Sequence, residues 1–276
     1  LVFVAIDKKK IVATFSIIPL NYSIKKRIFK GACSIAMMVH PKYQNAGLIK
    51  FVADKLFEKA KKIGIDFVYG YPNTKAYGIH RKLFGYKDIN NQEMYYLKIK
   101  KNIFLKNKFF QVKSGKFLND VNELNKVSIN HHKVVLNKTK LFLNWRYYSR
   151  PDYRYKIFQF KKNKKLVGYI ILKIYKENLT LRGHIIDIMY NPKYKKDLLN
   201  YILDFVNNYF RGKNCSEITL WVQGDDYFRK ILKNHNYKIR SKRPFICKNL
   251  NLNLIDLKYL NKKDWFFTMG DTLEIY

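Results

Sequence analysis

Val39-His40-Pro41-Lys42-Tyr43-Gln44-Asn45-Ala46-Gly47-Leu48-Ile49 is the stretch on which the reading of this chain turns. It follows a short apolar segment, Cys33 to Met38, and runs into a helical pattern. Leu48, Phe51, Val52, Leu56, Ala60 and Ile63 fall at i, i+3/i+4 spacing, with Lys and Glu opposite. A strand, a turn containing Gly and a helix start together point several backbone N–H groups at one anion. The stretch reads as a pyrophosphate-binding loop, with an ordinary strand-to-helix connection as the plainer alternative.

The 276 residues suffice for one large domain or two of ordinary size. A hydrophobic content of 47% and an aromatic content of 16% argue for a packed core and against disorder. The formal net charge of +35 would favour nucleic acid, an anionic membrane or a polyanionic substrate. Genome composition supplies a second explanation, because Lys, Asn, Ile, Tyr and Phe are all encoded by A/T-rich codons. The basic residues are also spread out. Lys8-Lys9-Lys10, Lys25-Lys26-Arg27 and Lys161-Lys162-Asn163-Lys164-Lys165 sit between strand-like runs, as solvated hairpin tips do. Either way the charge attracts an anionic ligand.

Cys33, Cys215 and Cys247 show no C-x-x-C spacing and suit a reducing cytoplasm better than a disulfide framework or structural zinc. His131-His132 lacks a nearby carboxylate pattern and reads as surface, so no metal is expected. No apolar run approaches the roughly 18 residues that span a bilayer. The chain opens without Met in a strand-like run, Leu1 to Ile6, so residues upstream of Leu1 and an N-terminally truncated first domain are expected.

In order, the first half reads as a hairpin (Leu1–Ile6 and Ile11–Leu20, with Pro19 ending the second strand), a strand Ile28–Met38 and the loop. A helix capped by Gly64, a buried strand Ile65–Tyr71, a helix Thr74–Leu83 and a strand Met94–Ile99 follow. The second half predicts helices at Gly115–Asn125 and Leu141–Tyr148, then a hairpin, Tyr155–Phe160 with Leu166–Ile174. Next come a strand Ile185–Tyr190, a helix Asp197–Phe210 ended by Gly212, a strand Glu217–Gln223 and a helix Asp226–Lys233. The halves repeat. His40-Pro41-Lys42-Tyr43 matches Asn191-Pro192-Lys193-Tyr194 and Gly85-Tyr86-Lys87 matches Asn236-Tyr237-Lys238, both at an offset of 151 (192 − 41 and 237 − 86). The expected fold class is α/β (α+β), with domains at 1–101 and 115–250, a linker at 102–114 and a C-terminal extension at 251–276.

Val39-His40-Pro41, Gln44-Asn45-Ala46-Gly47-Leu48-Ile49 and the later Asn73, Ala76 and Gly85-Tyr86 resemble motif A and the downstream segment of the GCN5-related N-acetyltransferases. Leu143-Asn144-Trp145-Arg146-Tyr147 and Trp265 to Asp271 resemble the tandem-domain bacterial type associated with surface-polysaccharide or small-molecule modification. The resemblance implies two tandem domains, each a mixed, mostly antiparallel sheet flanked by helices. It implies acetyl-CoA as co-substrate, held by Met38, Val39, Gln44, Asn45, Ala46, Gly47, Leu48, Ile49 and Asn73. Asn73 also suits a helix cap.

Two departures from the family pattern stand out. Ile49 occupies a position where many members have Gly or Ala. In the second copy, Lys195-Lys196-Asp197-Leu198 replaces the Gly-containing loop, so that copy is expected to bind the donor poorly.

Acyl transfer from a thioester to an amine needs a held donor, a deprotonated amine and stabilised charge on the carbonyl oxygen and leaving thiolate. The family's proton donor is commonly a Tyr on the helix after the fourth strand. Here Tyr77 and His80 are the two candidates, and either could equally be a packing residue. No residue pattern identifies the general base. The leading expectation is an acetyl-CoA-dependent N-acyltransferase acting on a small amine such as an amino sugar, in the cytoplasm. The alternatives are an aminoacyl-tRNA-dependent transferase of peptidoglycan-precursor type, which would give the charge a nucleic-acid partner, and a non-catalytic binding module.

Overall fold

The computed structural model describes residues 1–99, 110–149, 155–251 and 264–273. They divide into two compact units: 1–92 with 243–251 and 272–273, and 93–242 with 264–271.

In the first unit, β1 (Val2–Asp7) and β2 (Lys10–Ile24) form a hairpin, and β2 pairs antiparallel with β3 (Arg27–Val39). The Lys8-Lys9 and Lys25-Lys26 tips all take positive φ, as the two-residue turns of twisted hairpins require. Pro19 does not end β2: the strand runs on to Ile24, and Pro19 sits exposed opposite Ala32. Its missing N–H is tolerated at such a position. β3 then pairs parallel with β4 (Phe67–Gly70), crossing over through α1 (Leu48–Lys62). α1 buries Val52, Ala53, Leu56, Phe57 and Ala60 among Ala13, Phe15, Ile17, Val68 and Phe84. Each fully buried large side chain of this kind contributes about 1.5–3 kcal/mol. Gly64 ends the helix with a pair of bonds, Gly64 N–H to Lys61 O and Ile65 N–H to Ala60 O. α2 (Thr74–Lys82) follows β4.

The second unit repeats this order. After α3 (Asp120–His131), β7 (Val134–Leu136) and α4 (Lys140–Leu143) come β8 (Lys156–Lys162), β9 (Lys165–Glu177) and β10 (Thr180–Tyr190), an antiparallel meander. α5 (Lys195–Arg211) crosses to β11 (Glu217–Gln223), parallel to β10, and α6 (Asp226–Asn234) follows. α3 starts later than the expected Gly115, because Phe117 is held in the preceding loop by Asn144. Asn214, not Gly212, takes the positive φ that ends α5.

The duplication extends to local geometry. Pro41–Tyr43 and Pro192–Tyr194 are both 3-10 turns, in which His40 and Asn191 accept from the N–H of Lys42 and Lys193. Gly85 and Asn236 both take positive φ.

The domain boundaries differ from those expected at 101 and 250. β5 (Lys87–Lys98) places Met94–Lys98 beside β11 in the second unit, while β12 (Lys238–Asn249) places Ile246–Asn249 beside β4 in the first. Each repeat thus supplies the strand that completes the other unit's sheet. Gln111–Ser114, in the expected linker, is strand β6 on β8, and Trp265–Thr268, in the expected extension, is strand β13 on β11. Residues 102–109 of that linker lie outside the described residues.

Candidate acyl-donor site

The site in the first unit begins with the way β3 leaves its neighbour. β3 and β4 pair at Gly31–Phe67, Ala32–Val68 and Cys33–Tyr69, and the pairing then ends while β3 continues to Val39. Ser34 Oγ donates to Tyr69 O at 3.0 Å and closes the apex of the resulting wedge. A register shift in the β2–β3 pairing leaves an extra residue on β3, where Ala36 has φ 47°. Such a bulge re-aims the strand beyond it.

His40 N–H bonds Val12 O at 2.8 Å, towards β2. Backbone groups alternate along a strand, so Val39 presents its N–H and C=O on the opposite side. Gln44 Nε2 donates to Val39 O there, at 3.4 Å. Of the two expected strand contacts, Val39 therefore offers the outward N–H. Met38 pairs with Thr14, and its side chain is exposed.

The loop follows. Gln44, Asn45, Ala46 and Gly47 are all exposed, and Asn45 and Gly47 take φ 67° and 70°. A Cβ on Gly47 would meet nothing within 4 Å, so the backbone angle, not space, calls for glycine. Gly47 caps α1 without a side-chain bond, and no acid lies in the first turn. The helix's own ladder starts with Lys50 and Phe51 N–H on Gly47 O. The first-turn amides of Leu48 and Ile49 precede that ladder, at the positive end of a 15-residue helix. Leu48 and Ile49 pack their side chains against the core, so the branched Ile49 turns away from the anion position.

Asn73 caps α2, its Oδ1 accepting from Ala76 N–H at 2.9 Å. The two proton-donor candidates separate. Tyr77 is partly exposed and its hydroxyl donates to Asp88 at 2.9 Å, beside Arg81, which also pairs with Asp88. His80 is 5% exposed, packed edge-on to Phe15, Phe84 and Tyr86, with Nδ1 2.8 Å from Ala76 O. Burial lowers its pKa. Its place is that of a core side chain.

In the second unit the corresponding geometry is altered twice. The loop is missing: the 3-10 turn passes directly into α5 at Lys195, and Asp197 stands in the first turn. The wedge is filled. β10 carries a matching bulge between Ile185 and Asp187, and β10 and β11 part beyond Ile185–Leu220. β13 then pairs with Val222 and Gln223. Gly270, in the turn after β13, lies so close to β10 that a Cβ would fall 2.1 Å from Tyr147 Oη and 3.3 Å from Ile186 O. Lys138 locks this insertion from beneath, bonding Asp187 at 2.7 Å and Asp271 at 2.8 Å, with Thr268 and Tyr147 also on Asp187. All are buried. Burial alone would lower the Lys138 pKa, but the two carboxylates hold it above its usual range. The composition and spacing of residues 264–271 gave no sign that they would fill this wedge.

Among the described residues, His131, His132 and Asp225 bring ligand atoms within 4.8 Å of one another. Asp225 is already engaged, capping α6 through Phe228 N–H and accepting from Tyr190.

Residues 1–88 match the family model described as an Acetyltransferase (GNAT) domain. That match spans the first repeat, about a third of the chain. Solved structures share the fold across most of the chain. A GCN5-related N-acetyltransferase from Anabaena variabilis superposes with TM-score 0.68 at 14% identity, covering 90% of this chain and 62% of that one. Another, from Kribbella flavida, gives 0.62 at 10%, covering 89% and 59%. The Saccharomyces cerevisiae N-myristoyltransferase with bound myristoyl-CoA gives 0.63 at 11%, covering 93% and 72%. The chain thus spans about three fifths of the length of the two acetyltransferases. No curated protein matches the sequence. No helix of the described residues is long and apolar enough to cross a membrane.

Proposed function

We propose that the chain is an acyl-CoA-dependent N-acyltransferase, with acetyl-CoA as donor and a small amine, such as an amino sugar or polysaccharide precursor, as acceptor. The observation that carries this reading is the uncapped start of α1 behind Asn45 and Gly47, set at the mouth of the β3–β4 wedge. Parting strands with a glycine loop ahead of a helix start suit a ligand with a pyrophosphate at one end and a long arm at the other. The bound myristoyl-CoA of the yeast neighbour is compatible with a longer acyl chain, and a donor series would compare the two.

The amine nitrogen attacks the thioester carbonyl carbon and gives up a proton to water, the C–S bond breaks, and the sulfur leaves as a thiolate that takes up a proton. Loop amides from Asn45 to Ile49 bind the pyrophosphate, Gln44 N–H being spent on Pro41 O, and Val39 N–H serves the arm or carbonyl. Asn73 is already committed to its helix, so its amide N–H groups are what it offers the arm. We assign the proton-donor role to Tyr77, whose partly exposed hydroxyl would exchange its bond to Asp88 for one to the thiolate. His80 is neutral near pH 7, and its Nδ1 is committed to Ala76 O. Cys33, Cys215 and Cys247 are buried thiols, which fits a reducing compartment, and we place the protein in the cytoplasm.

The filled wedge and missing loop of the second repeat support one donor per chain. Thermal stabilisation by acetyl-CoA, CoA and bulk tRNA in parallel tests the reading. Shifts with the CoA species alone are expected, and a shift only with tRNA would overturn it in favour of a tRNA-dependent transferase.

A further inference from the structure

A cavity of about 820 Å³ is far from the acyl loop in sequence and has no role in the chemistry above. It lies wholly in the second unit, between α3, the segment before α4, and the five-residue π-turn Asn144–Tyr148. Such turns often mark functional positions, because one extra residue per turn redirects side chains. Here Asn144, Arg146 and Tyr147 turn inward while Trp145 is left 50% exposed at the cavity wall. The other two tryptophans of the chain, Trp221 and Trp265, are buried.

The lining combines this indole, Ile129 and Leu141 with amides and amines, and among the described residues it contains no acid. Asn144 is fixed by a reciprocal pair of 3.0 Å bonds to the backbone of Phe117, which leave it one amide N–H. Asn122 spends its oxygen on Lys140 N–H at 2.8 Å and keeps its NH₂ group. Asn137 accepts from Asn125 at 2.6 Å. The amides are thus held in place before any ligand arrives, which lowers the ordering cost of binding. Lys140 Nζ meets the amide oxygen of Asn119 at 2.9 Å, and Lys116 Nζ lies over the Tyr148 ring; neither meets a carboxylate.

A purely apolar ligand would strip water from these amides and amines without replacing their hydrogen bonds. A ring with an apolar face and hydroxyls that both give and accept would satisfy the indole and the amides together, and a negative group would satisfy the lysines. We propose that this cavity is a binding site for an acidic saccharide, a sugar carrying a carboxylate or a phosphate.

The test uses the whole chain and four probes: trigalacturonic acid, glucose 1-phosphate, chitotriose as a neutral sugar, and polyaspartate as an acid that is not a sugar. Trp145 is the exposed fluorophore, so binding of an acidic sugar should shift tryptophan emission. By calorimetry, affinity should fall about tenfold or more in both Trp145→Ala and Lys140→Gln. Which acidic sugar binds tells carboxylate from phosphate recognition. Affinity for neither, equal affinity for chitotriose or polyaspartate, or undiminished affinity in both variants would overturn the proposal. Acetyl-CoA binding is read separately, so failure here leaves the acyltransferase reading standing.

Discussion

Gly47 contributes to the proposed site through its backbone alone. At φ 70° with open space around it, Gly47→Val costs roughly 1–2 kcal/mol of local strain and pulls the loop amides off their common target. Acetyl-CoA affinity measured by calorimetry should drop about tenfold or more, while the melting temperature moves little. Tyr77 and His80 differ in kind. Tyr77→Phe should slow single-turnover acyl transfer by about 10²–10⁴-fold with donor affinity unchanged, whereas His80→Ala should lower stability and leave the rate per folded molecule nearly intact. His132, stacked on Phe266 with its pKa pushed down to about 3 by burial, carries a pH signature. The unfolded chain protonates it near the usual ~6.5, so below that pH the unfolded state binds the extra proton and stability falls with acid, down to about pH 3. The slope is at most about 1.4 kcal/mol per pH unit, and chemical denaturation of His132→Phe across pH 4 to 7 should show it flattened.

At the level of elements, the contrast between α1 and α5 explains what one loop does. α1 starts behind two residues of positive φ, while α5 begins where the equivalent of Gln44 would be and brings Asp197 into its first turn. That difference was legible in the sequence, because Lys195-Lys196-Asp197-Leu198 contains no glycine. The helices were legible for a similar reason: periodicity and caps are local. The exchange of β5 and β12 was not, since a strand's pattern records which face it buries and not which neighbour it joins. The same limit hid β13, whose apolar run looked like a tail until its pairing with Val222 and Gln223 and the fit of Gly270 placed it. Counting along a helix singled out His80 as a candidate, but such a count does not tell which face is buried, and His80 lies on the buried one. Because β13 and its turn are fastened through Lys138, Lys138→Met should leave Asp187 and Asp271 facing each other without their cation. A loss of about 3–5 kcal/mol in equilibrium unfolding is expected, with donor binding by the first repeat unaffected per folded molecule.

Across the whole molecule, one sequence pattern was used twice for different ends. The first copy keeps a wedge between parting strands, a bulge and a glycine loop; the second keeps the bulge but closes the wedge with its own chain and shapes a cavity elsewhere. The +35 charge is then a general attraction for anionic ligands, so measurements of specificity belong at physiological salt, where exposed charges are screened beyond about 8 Å. The central claim is that the first repeat alone holds the acyl donor. Calorimetric titration with acetyl-CoA at that salt, on the unaltered chain and on Gly47→Val, tests it most directly. One mole bound per chain, weakened about tenfold or more in the variant, is the predicted result; two moles per chain, or one mole bound equally well without Gly47, would contradict it.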